Sequence, residues 1–371
     1  MRKSLLRISF ALACLGVYSG VAFAQQIPLL PNNSILNSLQ NIITSTVPTS
    51  NGDLNPYGVA FVPFGFPSGG NTAPGDVLVS NFNNSSVLGN LEGTGTTIVS
   101  ISPSGQQTLF ATSSLIGLST ALGVFSRGFV IVGNLPVSYS AGVFTGIGQG
   151  SLQIFDRKGN LVTTINDSTL LDSPWDLTIN DQGSFAQVFV SNVLSGTVTR
   201  LDFTISNNGV KLHSKTQIGS GFGTMVIPAI VAVGPTGLAY DPARDMLFVA
   251  STLDNKIFAI SDPARRHGSA GTGVVVFADQ THLHGPLGLT LAPNGNLITA
   301  NGDAENAVAG TQNELVEFTE QGGFVATYQI DPGAPGAAFG VASAISQGAV
   351  RLAAVDDDQN TLIVWTVRPL L

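Results

Sequence analysis

The sequence predicts an all-β protein, a six-bladed β-propeller with four antiparallel strands per blade. Three observations carry the prediction. A unit of turn, strand, tight turn, strand, loop and strand stands out at Gly234–Ile260, and looser copies recur roughly every fifty to sixty residues. Such a unit is too small to bury its own faces, so copies must stack. Six similar junctions open the units: Asn55-Pro56-Tyr57-Gly58-Val59, Thr120-Ala121-Leu122-Gly123-Val124, Ser173-Pro174-Trp175-Asp176-Leu177, Gly234-Pro235-Thr236-Gly237-Leu238, Gly285-Pro286-Leu287-Gly288-Leu289 and Ala337-Ala338-Phe339-Gly340-Val341. Finally, the sixth unit runs out of chain after its third strand, and a β-branched segment, Asn41–Val47, precedes the first. Pairing the two closes the ring and removes an open sheet edge.

In chain order, residues 1–24 read as a secretory signal. Arg2, Lys3 and Arg7 precede an apolar stretch from Ile8 to about Val17, and Ala22-Phe23-Ala24 fits a small-x-small cleavage site. This predicts cleavage near Ala24 and a secreted or periplasmic protein. The only cysteine, Cys14, lies inside the signal, so the mature chain is expected to hold no disulfide, thiolate metal site or cysteine nucleophile. Removing the three basic residues leaves 12 basic against 23 acidic side chains, a net charge of −11. That balance argues against general nucleic-acid binding and against docking on anionic lipid. No later run is long and apolar enough for a transmembrane span. Residues 25–54 form a leader that carries the ring-closing strand near 41–47, and residues 55–371 form the propeller.

The second strands are expected at Asp76–Ser80, Gly128–Val132, Gln187–Ser191, Met246–Ala250, Asn296–Ala300 and Ala349–Val355. The third are expected at Thr97–Ile101, Ser151–Phe155, Thr197–Phe203, Lys256–Ile260, Glu314–Phe318 and Thr361–Val367. Most are short apolar runs, as strands covered on both faces should be. Fourth strands are expected at Gln107–Phe110, Leu161–Ile165, Lys215–Ile218, Val274–Phe277 and Phe324–Ile330, and Gly105, Gly159, Gly209 and Gly322 mark the turns to four of them.

The combination of Pro-x-Gly, an apolar strand, an Asp-Pro or Pro-Asn-Gly turn, Val-Ala-Ser or Val-Ser-Asn, and Asn-Lys-Ile resembles NHL-type repeats. Over about Asn55 to Val367 the chain is similar to the six-bladed propellers of the gluconolactonase/regucalcin group and the streptogramin lyases. The resemblance implies the fold. Function varies widely on this scaffold. In the gluconolactonase/regucalcin group, part of a divalent-metal site comes from Asn or Asp in the blade-opening motif. The matching positions here are Tyr57, Leu122, Trp175, Thr236, Leu287 and Phe339; none is a strong metal ligand, so that site does not carry over. Streptogramin lyases use a His in a blade-opening loop, which His282-Leu283-His284 matches. Their Trp-Phe-Thr-Glu glutamate does not carry over, because the corresponding strand here ends Ile298-Thr299-Ala300-Asn301.

The long segments Phe82–Thr96, Asn134–Gly150, Gly219–Val233 and Gly302–Asn313 are expected on one face, which makes that face the candidate binding surface. Pro63–Gly75 and Pro263–Gly273 are expected on the other. Tyr57, Trp175 and Phe339 would form an apolar or aromatic rim at the channel mouth, as stacking surfaces or as packing between blades. Asn81, Asn134, Asn192, Asn301 and Asp356 end second strands, with Ser251 or Thr252 in blade four. They would either ring a hard cation or water cluster or hydrogen-bond their own turns. Asp356-Asp357-Asp358 and the Asp303/Glu305 pair read as solvated turns or calcium ligands, and His213 as an ordinary loop residue. No Gly-x-Ser-x-Gly elbow, phosphate loop, haem motif or strand-helix Rossmann fingerprint occurs.

The sequence thus predicts a monomeric, non-catalytic binding module with a protein or glycan ligand at the loop-rich face and no cofactor. The alternative is a metal-assisted hydrolase or lyase using His284, His282 and the Asn/Asp ring, with calcium or another divalent cation, Asp356 being the candidate ligand.

Overall fold

The computed structural model describes residues 34–37, 41–228, 231–303, 306–346 and 349–367. The expected signal and its cleavage site, and Glu305, lie outside the described residues. Six four-stranded antiparallel sheets make the six blades. Blade one is Leu54–Phe61, Val77–Asn83, Thr97–Ile101 and Gln107–Thr112, from the inner strand outward. Blade six is Ala338–Ser346, Ala349–Asp356 and Thr361–Val367, and its outer strand is Asn41–Ser45. The closing pair is antiparallel, from Asn41 opposite Trp365 to Ser45 opposite Thr361. The chain therefore closes its ring as the sequence predicts.

The two-sided burial of the strands has a direct cause. Each seam between neighbouring blades holds its own apolar core. Leu78 and Ile98 of blade one meet Leu118, Val130 and Val132 of blade two. On the opposite face, Val77, Val79 and Val99 meet Ala353, Val355 and Leu362 of blade six. Alternate residues of one strand thus enter different cores, which is why the strands read as continuous apolar runs rather than as half-polar alternation.

The inner strands crowd around the axis. A Cβ built on Gly237 would sit 2.2 Å from the Leu287 carbonyl oxygen, one on Gly288 2.4 Å from that of Phe339, and one on Gly340 2.0 Å from that of Tyr57. At these three junctions the glycine lets neighbouring backbones touch. Below that level the central channel is mostly apolar, a cavity of about 630 Å3 lined by residues such as Val59, Leu177, Leu289 and Val341. The one carboxyl among its described lining residues, Asp176, accepts the Leu177 and Leu238 N–H groups. Burial nevertheless pushes its pKa well above the ordinary carboxylate range.

Two segments expected to be irregular are hairpins. Val137–Ser140 pairs with Val143–Ile147, and Met225–Ile227 with Val231–Val233. In the first, Ala141 and Gly142 both take positive φ, 51° and 78°, the backbone a two-residue hairpin turn requires. No helix among the described residues is long and apolar enough to cross a membrane.

Candidate functional site

The blade-opening residues Tyr57, Trp175 and Phe339 come together. Phe82, Tyr57 and Phe339 form a three-ring stack, with centroids 4.3 and 4.1 Å apart and planes within 14° and 12° of parallel. Trp175 leans against it, 5.8 Å from Tyr57 and 6.1 Å from Phe82. The inserted hairpins fold over this cluster through Val137, Tyr139, Phe144, Val231 and Ala232. Tyr57 and Trp175 are 3% and 2% exposed. Because both faces of Tyr57 are covered, its ring offers no stacking surface to a ligand. The cluster instead plugs the channel at the loop-bearing face.

Beside the plug lies a cavity of about 370 Å3. Trp175, Leu287 and Phe339 line its apolar side. Its polar wall comes from the ends of the second strands of blades one and six and the loops after them, Asn83, Asn90, Glu92, Asp357 and Asp358, with Asp303 of blade five bordering it though its side chain is buried. No Lys or Arg stands among the described lining residues. Burial raises Glu92 to about 7. Asp357 rises well above its usual range through burial, then through the charges of Asp358, Asp356 and Glu92. Asp356 is raised to about 6, again chiefly by burial. The Trp175 indole N–H is buried without a hydrogen-bond partner. The cavity therefore presents crowded carboxyls, which a cationic or donor-rich ligand would relieve, and an unused donor, which needs an acceptor.

Glu92 gives a pH prediction. Its folded pKa of about 7 lies above its ordinary 4.5, so the folded state holds the proton more tightly. The stability this contributes is complete below about 4.5 and is lost as pH rises through 7. Glu92→Gln should therefore be near-neutral at pH 4.5 and stabilise by up to about 3 kcal/mol at pH 8. Urea unfolding at both pH values checks this; equal stability of the two proteins at pH 8 would mean that Glu92 is fully solvated.

The second-strand asparagines do not converge on a central ion. Each Nδ2 instead donates to a carbonyl of the connection leading into its own blade: Asn81 to Thr46, Asn134 to Ile116, Asn192 to Leu170 and Asn301 to His282. Asn255, Asn313 and Asn360, just before third strands, do the complementary job across seams. Their Oδ1 atoms accept N–H groups of the next blade's opening, at Gly285, Gly336 and Ala337, and Asn55. Sequence reasoning passed over these three, although Asn-Lys-Ile signals the first of them. Asp356 accepts the Gln359 N–H and so shapes its own turn. Ser251 donates to Asp254, and Thr252 to the Pro286 carbonyl of the next blade.

The two histidines of His282-Leu283-His284 have different surroundings. His282 contacts Asp279 through Nδ1 at 2.5 Å and stacks on Phe324 of the outer strand. His284 is 1% exposed and faces Glu314 and Asp303, with Nδ1 3.5 and 3.9 Å from their nearest oxygens. Its backbone N–H donates to Asn301 Oδ1, and Asn301 Nδ2 also donates to Glu314 Oε2. Asp303 is thus joined to Glu314, which the sequence reading did not single out. The available signal was a charged residue opening the buried strand Glu-Leu-Val-Glu-Phe-Thr.

The blade-opening positions that supply metal ligands in the gluconolactonase/regucalcin group hold stacked aromatics, Leu122, Leu287 and Thr236 here. The Thr236 hydroxyl is engaged with Thr252 and the Pro286 carbonyl. That arrangement does not fit the group's metal.

No family model and no curated protein sequence matches the chain. Solved structures do. A gluconolactonase from Xanthomonas campestris is 12% identical with a TM-score of 0.52, covering 89% of each chain. A putative oxidoreductase (glucose dehydrogenase) from Thermus thermophilus is 13% identical with a TM-score of 0.52, covering 88% of this chain and all of its own. Regucalcin, a calcium-binding protein from Agrobacterium tumefaciens, is 14% identical with a TM-score of 0.50, covering 85% of this chain and 92% of its own. At these identities the likeness establishes the shared fold, a six-bladed β-propeller of the kind on which lactonases and oxidoreductases are built.

Proposed function

We propose that this chain is an exported, non-catalytic binding module whose loop-bearing face captures a protein partner, with a basic side chain of that partner entering the acidic cavity. The observation that carries the reading is the cavity: Glu92, Asp357 and Asp358 around one space, with no cationic lining residue among those described. Apolar side chains on the same face add contact area. Val87 is 92% exposed and Leu88 66%, both in the blade-one loop; Val143, Met225 and Val226 project from the two inserted hairpins. Exposed apolar groups around a charged centre suit a partner interface better than a bare solvated surface. Export rests on the N-terminal signal pattern. The protein acts as a monomer in this reading.

Fluorescence titration with a lysine- and arginine-bearing peptide, its acetylated counterpart and neutral oligosaccharides tests the proposal. Saturable binding of the basic peptide should weaken about tenfold in Glu92→Gln/Asp358→Asn, and also as salt screens the cavity. Equal binding of the acetylated peptide or of neutral sugars would overturn the charge-based reading. The metal-assisted hydrolase or lyase reading draws on one specific observation, the buried His284 beside two carboxyls, and predicts turnover lost on chelation.

A further inference from the structure

We propose that His284, Asp303 and Glu314 form a binding site for one first-row divalent cation of the Zn2+ or Mn2+ class. This does not rest on the partner-binding reading. One ligand atom from each residue lies within 4.8 Å of the other two. A tetrahedral ion with bonds of about 2.1 Å spaces its ligands about 3.4 Å apart. The His284 Nδ1 distances to Glu314 and Asp303, 3.5 and 3.9 Å, need only small side-chain adjustments to reach that geometry.

A second observation points to a ligand independently. Nδ1 of His284 and Oδ1 of Asp303, the atoms that face each other, are buried with no hydrogen-bond partner. The His284 and Asp303 side chains are 2% and 0% exposed. Leaving such atoms unmatched is costly, and the same sheet shows that the fold can avoid it. Glu317, three residues along the strand and also buried, accepts hydrogen bonds from Ser34, the Leu36 N–H, Asn294 and Asn296.

The surroundings are those of a ligand set. The Asn313 N–H holds Asp303 Oδ2, leaving Oδ1 turned to the histidine. Asn301 steadies Glu314 from outside. Two carboxylates and one imidazole balance a divalent charge. A mixed nitrogen and oxygen set suits Zn2+ or Mn2+ better than Ca2+, which takes six to eight oxygens. Three protein ligands leave a tetrahedral ion one free coordination position.

The test is metal titration of the chelator-stripped full-length protein by calorimetry, with elemental analysis for stoichiometry. One equivalent of Zn2+ or Mn2+ should bind, with Ca2+ and Mg2+ at least about a hundredfold weaker. Asp303→Asn and Glu314→Gln, both near-isosteric and checked for fold by circular dichroism, should each weaken binding about a hundredfold. His282→Ala should leave it unchanged. Nitrogen NMR of the imidazoles should show one His284 ring nitrogen shifted by the metal. No stoichiometric binding, binding that survives both carboxyl substitutions, or binding lost in His282→Ala would overturn the site. So would a His284 ring that stays doubly protonated in the presence of metal, which would instead mark a metal-free ion triad.

Discussion

A chain that begins at Thr46 should unfold at a temperature lower by about 10 °C or more than the full-length protein, a loss on the order of 5 kcal/mol. The truncation removes Asn41–Ser45, the outer strand of blade six, and leaves Thr361–Val367 as a bare edge. It also removes Ile35 and Leu36 from the core shared by blades five and six, and takes two of the hydrogen-bond donors from the buried Glu317. The exposed edge is a template for pairing with another chain, so aggregation should rise as stability falls. A peptide spanning residues 34–47, added in trans, should recover part of the lost melting temperature. Unchanged melting of the truncated chain would mean that ring closure contributes nothing. Cleavage near Ala24, as the signal pattern predicts, would spare the strand.

That closure was legible because it follows from counting: a repeat that ends one strand short must find the strand elsewhere. The third strands at Thr97–Ile101 and Thr361–Val367, and the outer strands at Leu161–Ile165 and Val274–Phe277, were readable to the residue. Each is a short run fenced by turn residues. The inserted hairpins were harder, because they stand outside the repeat and share no pattern with it. The Ala141-Gly142 turn was the one local clue. Met225 and Val226 point to solvent and show no apolar-polar alternation.

The candidate site was legible by residue type and position but not by partnership. Equal placement in the repeat put Tyr57, Trp175 and Phe339 at one level of the channel. Only the structure shows that Phe82 and Phe339 cover both faces of Tyr57, which turns an expected rim into a plug. Glu92 could not be read from sequence, since a carboxyl in a loop looks solvated until other loops bury it. Glu314 is the more instructive omission. A strand-opening charge suggests a solvated end, and its meaning changes once His284 and Asp303 arrive from two other segments of blade five.

A close backbone approach between two inner strands gives the second large effect. Gly340→Ala should destabilise the protein by about 3 kcal/mol or more, whereas Gly123→Ala should cost about 1. Both glycines sit on inner strands in the same junction motif, and both would gain a methyl group in a crowded place. At Gly123 the new carbon meets the side-chain ends of Ile179 and Leu177, at 2.6 and 2.7 Å, and these can turn aside. At Gly340 it meets the carbonyl oxygen of Tyr57 at 2.0 Å, and a backbone atom inside an inner strand has no rotamer to change. Relief at Gly340 therefore requires blades six and one to part. Their shared core of Val59, Val79, Ala353 and Val355 would loosen, and Tyr57 would move in its stack with Phe339. Thermal unfolding measures the first consequence and the near-ultraviolet dichroism of the aromatic plug the second. Equal losses in the two variants would mean that the seam yields as readily as a side chain, and that backbone contact between inner strands does not set the packing of the ring.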